Sequence, residues 1–228
     1  MKKLFIMISL LIFPFTAYAY SDYIYRGGNT IGIEINTDGV MIVGFYEVDG
    51  KFNKGKLQNG DYIISVEGNT INKVKDLSEV ISKYTDKKSI DVTIKRHGTK
   101  KNVKMDLLYK DGVYKTGLYV KDNITGIGTL TYVDPESNVF GALGHEIIDS
   151  SSSDIVEIKD GNIFRNYITS IDKSSVGNAG SKNAKYYNST IYGNIKKNTI
   201  EGIFGKYNYD TSNLELLKVG TKKDIKCF

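Results

Sequence analysis

Apolar and polar residues alternate over positions 31–36, and an apolar run resumes over 40–43 after Thr37-Asp38-Gly39, the pattern of a β-hairpin. A polar stretch over 49–61 leads into a short apolar strand at 62–66, closed by Gly68-Asn69. The period then changes. Leu77, Val80, Ile81 and Tyr84 recur at helical spacing, and Asp76 and Glu79 stand three apart as in an N-terminal capping box, so the pattern predicts one helix over 76–84. Alternation returns over 90–95 and 103–107 around His97-Gly98-Thr99, a second hairpin.

Beyond Tyr109 no helical period persists for more than a turn. Segments 126–133 and 139–143 flank Asp134-Pro135-Glu136-Ser137-Asn138, whose early proline suits a type I turn and a third hairpin. Four serines, Ser150 to Ser153, read as a solvated loop, and further strands are expected at 155–158, 167–171, 189–192 and 202–207. The fold class is mainly β, with one helix in the first half and a sandwich or barrel in the second.

Composition narrows the chemistry. The 228 residues are 40% hydrophobic and 25% charged, an ordinary globular balance. One cysteine and two histidines exclude both an internal disulfide and a zinc-ligand set, and no cofactor motif occurs. The net charge of +5 is mild and no aromatic-interleaved basic stripe appears, which argues against nucleic acid as a partner. Lys95, Arg96, Lys100, Lys101 and Lys104 crowd one hairpin; they suit an anionic membrane surface or, more simply, a solvated turn.

Residues 1–19 begin Met1-Lys2-Lys3, continue through an apolar core interrupted by Ser9 and Pro14, and end Ala17-Tyr18-Ala19. This is a secretory signal peptide or an uncleaved N-terminal anchor, and either places the remainder outside the cytoplasm.

The order of elements over 27–108 resembles a PDZ domain. Asn29-Thr30-Ile31-Gly32-Ile33 sits where that family has its carboxylate-binding loop and peptide-binding strand, which makes Thr30, Ile31, Gly32 and Ile33 the expected peptide-binding residues. Gly60-Asp61, the strand after it and the Gly68-Asn69 turn are also similar to the family's pattern.

Gly117-Leu118-Tyr119-Val120-Lys121-Asp122, Gly126-Ile127-Gly128-Thr129-Leu130 and Phe140-Gly141-Ala142-Leu143-Gly144-His145-Glu146-Ile147-Ile148-Asp149 together resemble the SpoIVB peptidases. These are signalling serine proteases of endospore-forming bacteria, built as a leader or anchor, a PDZ domain and a chymotrypsin-like peptidase domain. The resemblance implies that 109–228 is the N-terminal part of such a β-barrel domain and that His145 is its catalytic histidine. It implies as partners protein C-terminal tails, bound by the PDZ domain, and a membrane-bound sporulation signalling complex in the space around the forespore. Asp149 reads as structural rather than as the carboxylate that orients His145, and Glu146 is expected to face solvent.

The chain departs from the family in one respect: it contains no Gly-x-Ser-x-Gly segment, where the nucleophilic serine is expected. Ser170, Ser174, Ser175 and Ser181 fall in turns. The expectation is a truncated chain, inactive by itself, because a triad works as a unit. A non-catalytic exported PDZ module and a non-functional truncated product are the alternatives. Truncation would also leave unpaired barrel strands as open edges, with 27–108 the part more resistant to proteolysis.

Overall fold

Strand and helix assignments cover residues 21–53, 55–84, 87–220 and 224 of this computed structural model; the leader expected over 1–19 and Cys227 lie outside the described residues. In chain order the elements are β1 (Tyr23–Arg26), β2 (Thr30–Phe45), β3 (Tyr62–Val66), β4 (Asn69–Thr70), α1 (Val74–Ile81), β5 (Ser89–Arg96), β6 (Thr99–Asp106), β7 (Leu108–Lys110) and β8 (Val113–Lys115). They continue with β9 (Leu118–Val133), β10 (Val139–Ala142), β11 (Ile158–Asp172), β12 (Ser181–Thr199), β13 (Gly202–Tyr207) and β14 (Glu215–Lys218).

The two 16-residue strands β2 and β9 decide the architecture. They run antiparallel from Thr30↔Thr129 to Phe45↔Leu118, with a break in register between Asn36 and Met41. On one side of that break, β9 pairs with β10, β10 with β13, β13 with β12, β12 with β11, β11 with β2, and β2 again with β9. Six antiparallel strands thus close on themselves as a barrel, which leaves no open edge within the ring. The ring therefore lacks the open edges expected from truncation, because the β2 segment that precedes the helix supplies a barrel strand.

The alternation of residues 31–36 explains that role. Ile31, Ile33 and Ile35 point inward and are buried with Leu130, Phe140, Ile163 and Ile203, while Gly32 on the outer face lies flat against the Phe164 ring. The hairpin expected over 31–43 is therefore one continuous strand whose two halves serve different cores. The local turn chemistry of Thr37-Asp38-Gly39 is real: the Thr37 hydroxyl donates to the Gly39 carbonyl at 2.7 Å, and Gly39 has φ +103°. Pairing with distant β11 and β9 overrides the reversal this turn would otherwise make.

On the other side of the break, Val40, Ile42, Ile63, Val66, Ile90 and Ile94 form a second core with Leu77, Val80 and Ile81 of α1. This PDZ-like unit is inserted between two neighbouring barrel strands. The expected boundary at residue 27 moves accordingly, since the chain up to Thr37 packs with the barrel and Leu118 packs with the PDZ-like core. Helix α1 starts earlier than the pattern predicts. Asp76 sits in its first turn and accepts the N–H groups of Asn72 and Lys73, both at 2.9 Å, so it closes the helix start from within and is not the cap itself.

Candidate active site and peptide groove

Strand β10 ends at Ala142, and the chain turns sharply through Leu143 and Gly144, with φ of +75° and +85°. A branched side chain held at positive φ is costly and persists only where its surroundings fix it. Here the Leu143 amide donates to the Thr129 carbonyl at 3.1 Å, and its side chain packs over Gly128, where an added Cβ would lie 2.6 Å from it. The turn delivers His145 to an exposed position on the rim of a cleft of about 490 Å³, lined also by Ile33, Ile124, Ile127 and Ile147.

The ring's Nδ1 lies 2.8 Å from the Glu146 carbonyl oxygen. A carbonyl only accepts, so Nδ1 carries the proton in the neutral ring and Nε2 keeps its lone pair. That tautomer is the one a general base needs. Glu146 itself is half-buried on the cleft wall rather than fully solvated. Among the described residues that line the cleft there is no serine or cysteine, and Ser170, Ser174, Ser175 and Ser181 lie around the far end of the β11–β12 hairpin.

Two residues hold the segment after His145: Asn198, which carries no signal in the sequence, and Asp149, which the sequence reading places as structural. Asn198 accepts the Ile147 N–H at 2.8 Å and donates to the carbonyls of Ile147 at 2.8 Å and Val156 at 3.1 Å. Asp149 is 2% exposed; one of its oxygens accepts the Ser151 amide and hydroxyl and the Ser152 amide, and the other meets Lys121 Nζ at 2.8 Å. Burial alone would push this carboxyl up, but the Lys121 ammonium and the Ser151 groups outweigh it and hold it below the usual carboxylate range. Asp149 organises the loop; the histidine's own hydrogen bond goes to backbone.

The expected peptide-binding residues are placed elsewhere than anticipated. Thr30, Ile31, Gly32 and Ile33 lie in the barrel, where Ile31 to Ile33 pair with β11 on one side and with β9 on the other. A strand with both edges paired cannot accept a third, and Thr30, paired with Thr129, opens the same barrel strand, so the assignment of these four residues to a peptide groove is corrected. The strand that faces α1 is the later half of β2, residues 40–45, with the Thr37-Asp38-Gly39 turn before it.

Two of the five basic residues of the hairpin are held in close ion pairs. Lys95 pairs with Asp38 at 3.0 Å and Glu157 at 2.7 Å; Arg96 forms a two-pronged pair with the fully buried Asp61 at 2.6 and 2.7 Å. Both ties bind the hairpin to its own protein. His97, in the two-residue turn at φ +47°, is exposed.

Comparison with known families agrees with the geometry. Residues 24–107 match the PDZ domain family, and residues 112–227, half of the chain, match SpoIVB peptidase S55. No curated protein matches the chain. The first match starts in β1, takes in the barrel strand β2 and ends before the groove is complete, as expected of a domain inserted between β2 and β9. With a closed barrel that presents a base-competent histidine on a cleft, and with both matches in this order, the chain belongs to the SpoIVB peptidase S55 family.

Proposed function

We propose that this protein is a SpoIVB-type serine endopeptidase of sporulation signalling whose nucleophilic serine these 228 residues do not supply, exported by its N-terminal leader or held by it at a membrane. His145 is the general base: Nε2 takes the proton of an attacking serine hydroxyl and returns it to the leaving amine. The observation that carries this reading is the bond between Nδ1–H and the Glu146 carbonyl at 2.8 Å, which leaves Nε2 as the acceptor. The PDZ domain takes protein tails as added strands, and a membrane-bound signalling complex would supply them.

These 228 residues by themselves are not expected to hydrolyse peptide bonds, since no serine lines the cleft among the described residues and no Gly-x-Ser-x-Gly occurs in the sequence. Treating the purified chain with a fluorophosphonate probe is expected to give no labelling. Stoichiometric labelling on one serine would overturn this. In any longer form that does cleave peptides, His145→Ala is expected to lower kcat by at least about 10³-fold; unchanged turnover would remove His145 from the mechanism.

A cleft without a serine among its described residues also favours a second reading, a non-catalytic exported PDZ module. Peptide binding without probe labelling, in every natural form of the protein, would select it over the first.

A further inference from the structure

A PDZ domain receives an extended peptide along the strand edge that faces its helix, where the peptide adds as an antiparallel strand and its carboxylate is held near the start of that strand. Strand β2 offers such an edge over residues 40–45. Its opposite edge is used by β3, through Val40↔Ile63 and Met41↔Tyr62. The edge facing α1 is taken too, by the chain itself: Met41↔Lys121, Ile42↔Val120, Gly44↔Tyr119 and Phe45↔Leu118 pair antiparallel, and the Tyr46 amide extends the ladder to the Gly117 carbonyl at 2.9 Å.

The segment fills the groove as a ligand would. Leu118 is 5% exposed in the cluster that contains Leu77, Val80 and Ile81 of α1, and Val120 packs against the same cluster. The direction of the strand brings Asp122 to the end next to Thr37-Asp38-Gly39. There its carboxylate accepts the N–H of Val74, the first residue of α1, at 2.8 Å. A side-chain carboxylate thus stands at the end of the added strand where a terminal one would come.

Two features make this contact separable and consequential. The register break between Asn36 and Met41 leaves four residues of β2 opposite one of β9, so the groove ladder and the barrel ladder are distinct and one can open while the other stays closed. And Lys121, in the middle of the groove segment, is the residue whose ammonium pairs with Asp149, the organiser of the loop that follows His145.

We propose that residues 118–122 are an internal ligand of the PDZ groove, that an extended peptide with a free carboxylate binds only by displacing them, and that displacement breaks the Lys121–Asp149 pair and loosens the loop behind His145. This rests on the reading of the domain as a binder of peptide tails. A ligand that competes with a resident strand has its affinity reduced by the fraction of time the groove is open.

The probe is a fluorescein-labelled hexapeptide of the chain's own sequence, Gly-Leu-Tyr-Val-Lys-Asp, with a free carboxylate, titrated into the full chain by anisotropy. A double substitution, Leu118→Ser with Val120→Ser, empties the groove, and Asp122→Ala is a milder variant for the case in which the double one fails to fold. Binding is expected to tighten at least about tenfold in either variant. In the unsubstituted chain, hydrogen exchange should show amides 119–121 protected without peptide. Saturating peptide should then expose those of Ser151 and Ser152 while leaving the β11 amides unchanged. Equal affinity of unsubstituted and folded variant chains, or unaltered exchange at Ser151 and Ser152 under saturation, would overturn the proposal while leaving peptide binding intact. No binding by any folded variant would overturn it together with the tail-binding reading on which it rests.

Discussion

The ammonium of Lys121 lies 2.8 Å from the buried carboxylate of Asp149. One residue belongs to the strand that fills the PDZ groove, and the other to the loop that follows His145. The pair joins the two halves of the molecule at the level of single atoms, and it gives the first expectations for experiment.

Asp149→Asn keeps the side-chain shape and removes the charge. The Lys121 ammonium then loses its partner, and the Ser151 and Ser152 amides keep only a neutral acceptor. A loss of about 1–3 kcal/mol is expected, read as a lower denaturant midpoint with an unchanged m-value. No change in midpoint would show that the pair contributes nothing to stability.

The same carboxylate sets a pH dependence. Its folded value lies below the ordinary one, so its contribution is full above the unfolded aspartate value of about 3.9 and fades as pH falls through the lower folded value. The stability gap between the unsubstituted chain and Asp149→Asn should therefore be constant near neutrality and shrink in acid. A gap that widens on acidification would mean that the folded carboxyl is raised instead of lowered.

At the alkaline end Tyr62 acts in the opposite sense. Burial, aided by the nearby carboxylate of Glu157 against the amide that its hydroxyl accepts, pushes its phenol up to about 12. The folded state therefore holds this proton more tightly than the unfolded one, whose value is about 10. Stability is full below that and declines as pH rises toward 12. Tyr62→Phe should flatten part of the decline in denaturation curves collected at increasing pH.

Asn198→Ala removes three hydrogen bonds around Ile147 and Val156. Because the backbone groups left behind are partly buried, a cost of about 1–3 kcal/mol is expected. Faster amide exchange at Ile147 should accompany it, with β3 and β5 of the PDZ core unaffected. Uniform acceleration across both cores would mean that Asn198 supports the whole fold and not this loop.

Limited proteolysis should begin on the arm of the β11–β12 hairpin. Pairing of β11 with β2 stops at Arg165, so beyond it the two strands hold only each other, and Val176 near the tip is fully exposed. Trypsin is expected to cut first at Lys173, leaving barrel and PDZ core together. Release of the PDZ core alone would indicate that the barrel is the weaker unit.

Much of the fold is legible along the chain. The helix is readable because Leu77, Val80 and Ile81 repeat at a helical period against an otherwise two-residue alternation. The His97-Gly98 turn is readable because a two-residue hairpin needs positive φ at both positions, and both have it. The long arm of β11 and β12 is visible only in pieces, since its exposed two-stranded portion carries no buried face to impose a pattern.

The site divides in the same way. His145 can be singled out because its neighbours, Gly141 and Gly144, mark a tight turn at a strand end, and the family motif surrounds it. Asn198 cannot, because an asparagine in a polar strand end looks like any other until folding sets it against Ile147. The groove lies half a strand away from where the resemblance to the PDZ family puts it: Thr30 to Ile33 and residues 40–45 both read as strand, and nothing local says which of them faces the helix.

The amino-acid sequence on its own determined the mainly β character, the helix before β5, the family and the choice of His145 as the candidate base, since periodicity and motif are properties of neighbouring residues. Tertiary structure alone decided that β2 is shared between two cores, that six strands close the barrel, and that residues 118–122 lie in the PDZ groove. Each of these depends on hydrogen bonds between backbones far apart in the chain. Backbone groups are the same in every residue, so side-chain order cannot announce which distant strand will meet them.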